Sequence, residues 1–342
     1  AANEGFNHRR TLALAIDPDR AGRVLAVLAN GPEPLLVTDD GGLNWKPLGK
    51  GVSNNRNQLL RVYAAPDGWW AALAGGGLMR YDAAREVWVR EGRLAGDAAV
   101  LSTSQAKPAA RGPRVSAARL RNTSSATGTA LGWIINDMTF SETLWFAASE
   151  HGLLISENLG RSWNLLPLGP LANLPVSSVR ASHDGKSLWA VSLRGLVFSS
   201  DAGRTWKWRD LPLDAGGALR LEIAPGETGS GTFVATARKG LFISRDSGDS
   251  WQQAAFGLPQ TPIEDLAIVG NVFVASPTTG GLYLSLDSGR TWGRLPGTIA
   301  EGSFSAVATQ PGATAVVAAS SDGVYSLTLA PRGDAAARLL EP

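Results

Sequence analysis

Seven side chains in this sequence have the chemistry of a binding or catalytic cluster, and they fall at corresponding places in successive repeats of the chain. Arginines bind carboxylates, a tyrosine beside a glutamate can act as a nucleophile, and aspartates can serve as general acids. Three interpretations are open: ion pairs that bridge structural units, hydrolysis of a glycosidic bond, and binding of a small ligand. The residues are Arg61, Tyr63, Asp137, Arg180, Arg220, Glu222 and Asp265.

A second candidate site is a basic segment that contains no acidic residue between Asp97 and Asp137. Its Ser/Ala/Thr-rich composition is typical of an exposed loop. It could be a solvated loop without function, a docking element for an acidic protein surface, or a contact for nucleic acid or anionic lipid. The lack of interleaved aromatic residues disfavours nucleic acid. The cations are Lys107, Arg111, Arg114, Arg119 and Arg121.

Other kinds of chemistry are disfavoured by composition and spacing. The chain has no cysteine, which excludes thiol catalysis and thiolate metal sites, and its three histidines do not have metal-ligand spacing. The glycines at 75–77 open no helix, so they are not a phosphate-binding loop. A net charge of +2 gives no general case for nucleic-acid or membrane binding. We therefore predict no metal and no cofactor.

One motif recurs along the chain: Ser/Thr-x-Asp-x-Gly-x-Ser/Thr/Asn-Trp, here called the box. A carboxylate can accept backbone N–H bonds across a tight turn, and glycine permits a positive φ. The copy at 156–163 has Asn158 in place of the aspartate. The five copies begin at Thr38, Ser156, Ser199, Ser244 and Ser285.

The boxes are spaced by the length of one four-stranded propeller blade, about 41 to 45 residues from tryptophan to tryptophan. A degenerate copy around Tyr81 to Trp88 keeps only the tryptophan, and a seventh unit that lacks the box begins at Gly323, so the period predicts seven units. The interval from Trp88 to Trp163 is longer by about 32 residues, which predicts an insertion at about 95–132.

The boxes and their spacing resemble the Asp-box, or BNR, repeat of sialidases, sortilin ectodomains, xyloglucanases and photosystem II assembly-factor propellers. The resemblance covers nearly the whole chain and implies an all-β fold: a single seven-bladed β-propeller of four-stranded antiparallel blades over residues 1–342. It also implies that the boxes are structural hairpins on the outer rim. Asp40, Asp201, Asp246 and Asp287 are therefore not expected to be catalytic carboxylates or metal ligands.

Alignment of the innermost strands predicts an apolar column between neighbouring blades and a charged central channel. The simplest arrangement of the channel is three ion pairs between adjacent blades. The predicted pairs are Arg61 with Asp137, Arg220 with Asp265, and Arg180 with Glu222. The Arg-Ile-Pro motif of sialidases is absent near the N-terminus. The column consists of Leu14, Val62, Met138, Val179, Leu221, Leu266 and Val307.

The resemblance to assembly-factor propellers favours a non-enzymatic scaffold or accessory subunit that docks on a larger exported or membrane-associated protein complex. A carbohydrate-binding or glycoside-hydrolase-like propeller is the alternative. Residues Ala1 and Ala2 are what signal-peptide cleavage often leaves, although truncation at the same place gives the same start. We predict a periplasmic or secreted protein with a protein partner and no transmembrane segment of its own.

Overall fold

The computed structural model shows only β-strands as regular elements in its described part. The described residues are 10–20, 22–29, 33–52, 59–95, 128–169, 174–192, 194–210, 218–224, 232–254, 256–296, 302–309, 315–320, 323–328 and 338–339. Among them no helix is long and apolar enough to cross a membrane.

The strands form seven sheets, and each sheet is one blade. Blades 1 to 3 contain β1 Thr11–Ile16, β2 Val24–Leu28, β3 Leu35–Thr38 and β4 Lys46–Pro47; β5 Leu59–Ala65, β6 Gly68–Leu73, β7 Leu78–Asp82 and β8 Val87–Glu91; and β9 Arg93–Ala95, β10 Gly128–Ala130, β11 Ile135–Phe140, β12 Trp145–Ser149, β13 Gly152–Ser156 and β14 Ser162–Leu166. Blades 4 and 5 contain β15 Ser178–Ala181, β16 Leu188–Ser192, β17 Gly195–Ser199 and β18 Lys207–Arg209; and β19 Ala218–Ala224, β20 Thr232–Ala237, β21 Gly240–Ser244 and β22 Gln252–Gln253. Blades 6 and 7 contain β23 Ile263–Val269, β24 Val272–Pro277, β25 Tyr283–Ser285 and β26 Gly293–Arg294; and β27 Phe304–Thr309, β28 Ala315–Ser320, β29 Val324–Thr328 and β30 Arg338–Leu339.

Successive strands of a blade pair antiparallel, except β10 and β11 of blade 3, which are not paired. The innermost strands of neighbouring blades contact one another around the centre, and these strands are β1, β5, β11, β15, β19, β23 and β27. Blade 7 meets blade 1 in the same way, and the Ser305 hydroxyl donates to the Thr11 carbonyl across this junction. The predicted seven-bladed propeller of four-stranded blades is therefore confirmed.

Blade 3 departs from the four-strand pattern. The hairpin β9–β10 extends it to six strands, because β9 pairs in parallel with the outer strand β14. Residues 96–127 join the two strands of this hairpin and lie outside the described residues. Ala95 and Gly128 are register partners, so the segment leaves and re-enters the blade at one place.

The core lies between blades, where the predicted apolar column packs. Val62 belongs to a cluster with Leu25 and Val27 of blade 1, and Met138 belongs to one with Trp70 of blade 2. Six of the seven column residues are buried and Leu14 is partly buried. Because each residue packs against the preceding blade, the column joins the blades into a ring.

The boxes form hydrogen-bonded turns between the third and fourth strands of their blades. In blade 4 the Ser199 hydroxyl and the Thr205 amide each donate to Asp201 Oδ1 at 2.8 Å, and the Thr205 hydroxyl donates to Oδ2 at 2.6 Å. Gly203 has φ 82°, as predicted for the box glycine. The residue before it, Ala202, also has a positive φ of 57°, which the motif did not predict.

Candidate binding channel

The innermost strands of all seven blades surround a central cavity of about 630 Å³. The predicted channel residues Arg61, Tyr63, Asp137, Arg180, Arg220, Glu222 and Asp265 all line it. They come from β5, β11, β15, β19 and β23. On each of these strands they stand directly before or after the residue of the apolar column, and their side chains line the centre. The structure thus brings together residues that are more than 200 positions apart in the sequence.

The charged side chains form one continuous chain of ion pairs across blades 3 to 6. Arg180 donates to Asp137 Oδ2 at 2.6 Å and to both oxygens of Glu222, at 2.5 and 3.1 Å. Arg220 donates to Glu222 Oε1 at 2.7 Å and also to Asp265. The predicted pairs Arg180 with Glu222 and Arg220 with Asp265 are therefore present, and both are parts of a larger network.

The predicted pairing of Arg61 with Asp137 is wrong. The Asp137 carboxylate instead turns toward blade 4, where it accepts hydrogen bonds from the Ser178 hydroxyl at 2.7 Å and the Val179 amide at 3.2 Å. Arg180 binds the same oxygen, Oδ2. In the described part of the chain, Arg61 makes no ion pair.

Asp137 has two counterparts that bridge blades in the same manner. The Val307 amide of blade 7 donates to Asp265 Oδ2 at 2.9 Å, and the Leu221 amide of blade 5 donates to Ser178 Oγ at 3.2 Å. Each acceptor receives a hydrogen bond from an inner-strand amide that lies 42 or 43 residues later in the sequence. This role was not predicted from the sequence, although the separation of 42 or 43 residues matches the repeat period and was a usable signal.

The arginines hold the channel carboxyl groups in their ionised form. Burial opposes ionisation of both Asp137 and Glu222, but Arg180 and the other channel arginines outweigh it and lower both pKa values. Burial and, next, the charge of Asp137 raise the pKa of the Tyr63 phenol. The channel thus contains anchored carboxylates and a neutral tyrosine.

Two groups in the channel are left without a described partner. The Tyr63 hydroxyl is buried and makes no hydrogen bond, while its ring packs edge-on to Phe140 with centroids 6.3 Å apart. Arg61, two residues earlier on β5, lines the same cavity. Arg61 is therefore available to a ligand, whereas the Tyr63 hydroxyl has almost no accessible surface.

The basic residues of the second candidate site, Lys107, Arg111, Arg114, Arg119 and Arg121, lie outside the described residues. Their flanks show that the segment joins at the outer edge of blade 3, through β9 and β10. Among the described residues, no group of three or more His, Asp or Glu side chains is arranged to hold a metal ion.

These features define the class of the protein: it is a seven-bladed β-propeller of the BNR type with a charged central channel. Residues 172–337, just under half of the chain, match the model of the family described as photosynthesis system II assembly factor YCF48. YCF48 from Cyanidioschyzon merolae has a similar structure, with a TM-score of 0.60 and 14% identity over 93% of this chain and 94% of that one. A structure of YCF48 bound to a D1 peptide gives a TM-score of 0.62 and 14% identity over 95% and 94%.

Two other proteins are similar to this chain, one in sequence and one in structure. A xyloglucanase of a Paenibacillus species is 26% identical over 190 residues, which are 45% of this chain and 18% of the xyloglucanase. The chain therefore spans only part of the length of the curated relatives that it matches. The extracellular domain of a one-component system of B. thetaiotaomicron has a TM-score of 0.61 and 14% identity over 95% of this chain and 42% of that one. At such identities the structural matches establish the fold alone.

Proposed function

We propose that this propeller is a non-catalytic scaffold that binds a protein partner, as an accessory or assembly subunit of a larger exported or membrane-associated complex. The proposal rests first on the electrostatics of the channel. A glycosidase needs one carboxyl group whose pKa is raised so that it can donate a proton. Asp137 and Glu222 have lowered pKa values and bind arginine, which suits a structural role.

Tyrosine chemistry is disfavoured by the same surroundings. A tyrosine nucleophile requires a phenol that is readily deprotonated, whereas burial and the charge of Asp137 raise the pKa of Tyr63. The channel arginines Arg180 and Arg220 also form ion pairs with carboxylates of the protein. They are less available to a substrate carboxylate than the sequence alone suggested.

The similarity to YCF48 supports the protein-binding role. The matching family is described as an assembly factor, and one similar structure holds a peptide of another protein. The basic segment with Arg111, Arg114 and Arg119 remains our predicted docking element for an acidic surface, since clustered cations accelerate association with such partners. A location outside the cytoplasm is consistent with the similar extracellular domain.

A carbohydrate-binding propeller is the second candidate, favoured by the sequence similarity to xyloglucanases. The two candidates differ in what the intact chain should retain from solution. We expect the immobilised chain to retain a discrete protein from a native envelope extract, and excess free chain should displace that protein. Xyloglucan oligosaccharides and sialosides should be neither bound nor cleaved.

A saturable interaction with xyloglucan, or hydrolysis of a glycoside that Glu222→Gln or Tyr63→Phe abolishes, would establish the second candidate instead. Arg204→Gln is a suitable control variant, because Arg204 is an exposed box residue outside the channel. Its retention of protein should match that of the unmodified chain.

A further inference from the structure

The central cavity has two unlike walls. Blades 3 to 6 contribute the chain of ion pairs and one further carboxylate, Glu264, whereas the lining from β1 and β27 carries no charge. That lining consists of residues 12–16 and 305–309, in which Ser305 and Thr309 are the polar members. Since blades 1 and 7 are neighbours, their residues form one continuous uncharged wall.

Small side chains give this wall its open space. Ala13, Ala15, Ala306 and Ala308 occupy positions where most other blades carry a larger polar side chain, and Ala13 and Ala308 are the more exposed pair because Ala15 and Ala306 pack between blades. A cavity of about 630 Å³ remains, which is within the range of about 300 to 1,000 Å³ typical of small-molecule sites. The space is large enough for a small organic ligand with an apolar body.

Arg61 lies where the two walls meet. Its strand β5 contacts β1 of the uncharged wall on one side and β11, which carries Asp137, on the other. Unlike Arg180 and Arg220, its guanidinium makes no ion pair with any described residue. A guanidinium presents several N–H donors in a planar fork that suits a carboxylate.

The Tyr63 hydroxyl is the second group that requires a partner. It is on the same strand as Arg61, two residues away, so the two side chains point to the same side of β5. Leaving a buried hydroxyl without a hydrogen bond is unfavourable, and such groups in folded proteins are usually satisfied by protein, water or a ligand. The hydroxyl has almost no accessible surface, so a small shift of the ring or its neighbours must accompany its hydrogen bond to an anion held by Arg61.

We propose that the channel binds a small organic monocarboxylate, with the carboxylate on Arg61 and the Tyr63 hydroxyl and the apolar body against the alanine wall of blades 1 and 7. A monoanion fits better than a phosphate dianion, because Arg61 is the one arginine of the lining without an ion pair to a described residue and the carboxylates of Asp137 and Glu264 oppose a second negative charge. This site is additional to the protein-docking role and does not depend on it.

Hexanoate is a suitable probe because it combines the two features that the walls would recognise. Acetate retains only the carboxylate, hexanamide replaces it by a neutral group, and hexylammonium reverses its charge. We expect calorimetry on the full chain to give a dissociation constant for hexanoate on the order of 1 mM. Each of the three comparison compounds should bind at least about tenfold more weakly.

Two variants test the assignment of the carboxylate site. Arg61→Gln should weaken hexanoate binding about tenfold or more and leave hexanamide binding unchanged, while Tyr63→Phe should weaken hexanoate binding severalfold. The exposed Arg204→Gln variant should bind as the unmodified chain does. Circular dichroism will confirm that each variant is folded.

The proposal is overturned if hexanoate binds no better than hexanamide, or if Arg61→Gln and Tyr63→Phe both bind hexanoate normally. It is also overturned if no probe binds at up to about 10 mM. These measurements use purified chain and defined compounds. Their failure would leave the protein-retention experiment unaffected.

Discussion

At the scale of single residues, the box carboxylates can be tested against a natural amide. In blade 3, Asn158 Oδ1 accepts the Ser162 amide at 2.8 Å, and its Nδ2 donates to the Ser162 hydroxyl at 2.8 Å. The same turn therefore forms without a negative charge. What matters for the turn is an acceptor at this position.

We predict that Asp201→Ala lowers the free energy of unfolding by about 1 to 3 kcal/mol, because the Thr205 amide and the Ser199 hydroxyl lose their acceptor. Asp201→Asn should cost less than about 1 kcal/mol, since it can adopt the arrangement of Asn158. Denaturant unfolding measures both. Equal losses in the two variants would show that charge, not acceptor geometry, stabilises the turn.

The box aspartates also make stability depend on acid. Hydrogen bonds from the Ser250 hydroxyl and amide and from Ser244 lower the pKa of Asp246 to about 2. The contribution of a lowered pKa is complete above the pKa of the unfolded state and is lost as the pH falls through the folded value. We therefore expect the difference in free energy of unfolding between the unmodified chain and Asp246→Asn to be constant above about pH 5. Between about pH 4 and pH 2 the unmodified chain should lose stability relative to Asp246→Asn. A difference that does not change with pH would contradict the lowered pKa.

The channel arginines should differ sharply in their effect on stability. Arg180→Gln leaves Asp137 and Glu222 without their shared cation, and Asp137 is only 4% exposed, so we expect a loss of about 3 kcal/mol. Arg61→Gln breaks no described ion pair and should cost less than about 1 kcal/mol. Urea unfolding of the two variants gives the comparison. Similar losses would mean that Arg61 takes part in the network after all.

At the scale of elements, the hairpin β9–β10 indicates how the basic segment can be removed. Ala95 and Gly128 are register partners, so a short Gly-Ser turn in place of residues 96–127 should close the hairpin without disturbing β14. The blades should stay folded, since the cost of loop closure depends only weakly on length. Binding to the protein partner should become slower and less sensitive to salt.

Surface plasmon resonance at several salt concentrations measures this effect. A charge-reversal variant at Arg111, Arg114 and Arg119 separates charge from loop length and should also slow association. An unchanged association rate in both variants would remove the segment from the docking surface. The channel or another part of the rim would then carry the binding.

At the scale of the whole molecule, the closed ring predicts cooperative unfolding. Each blade shares a buried apolar layer with both neighbours, and blade 7 contacts blade 1, so no blade has a free side. Loss of one blade would expose two such layers. We propose that residues 1–342 form one domain, and we expect calorimetry, tryptophan fluorescence and circular dichroism to report one coincident transition. Separate transitions would indicate independent units.

Much of the architecture was predictable from the sequence because it repeats. The apolar column recurs in every blade and the box in five of the seven, so seven blades and the packing positions followed from one alignment of the repeats. The turn geometry of Asp201 was predictable for the same reason, since its donors lie within four residues. The positive φ of Ala202 was not, because only the box glycine signals that conformation.

The pairing in the channel was decided by the tertiary structure alone. Alignment of the repeats placed Arg61, Asp137 and Arg180 on the inner strands of three successive blades. Asp137 therefore has an arginine on the preceding blade and another on the following blade, and the sequence does not say which of them it binds. The carboxylate binds toward blade 4 because the Val179 amide and the Ser178 hydroxyl also donate to it there. The choice depends on which donors of separate blades come within hydrogen-bond distance of the carboxylate, and that is decided only once the ring has closed.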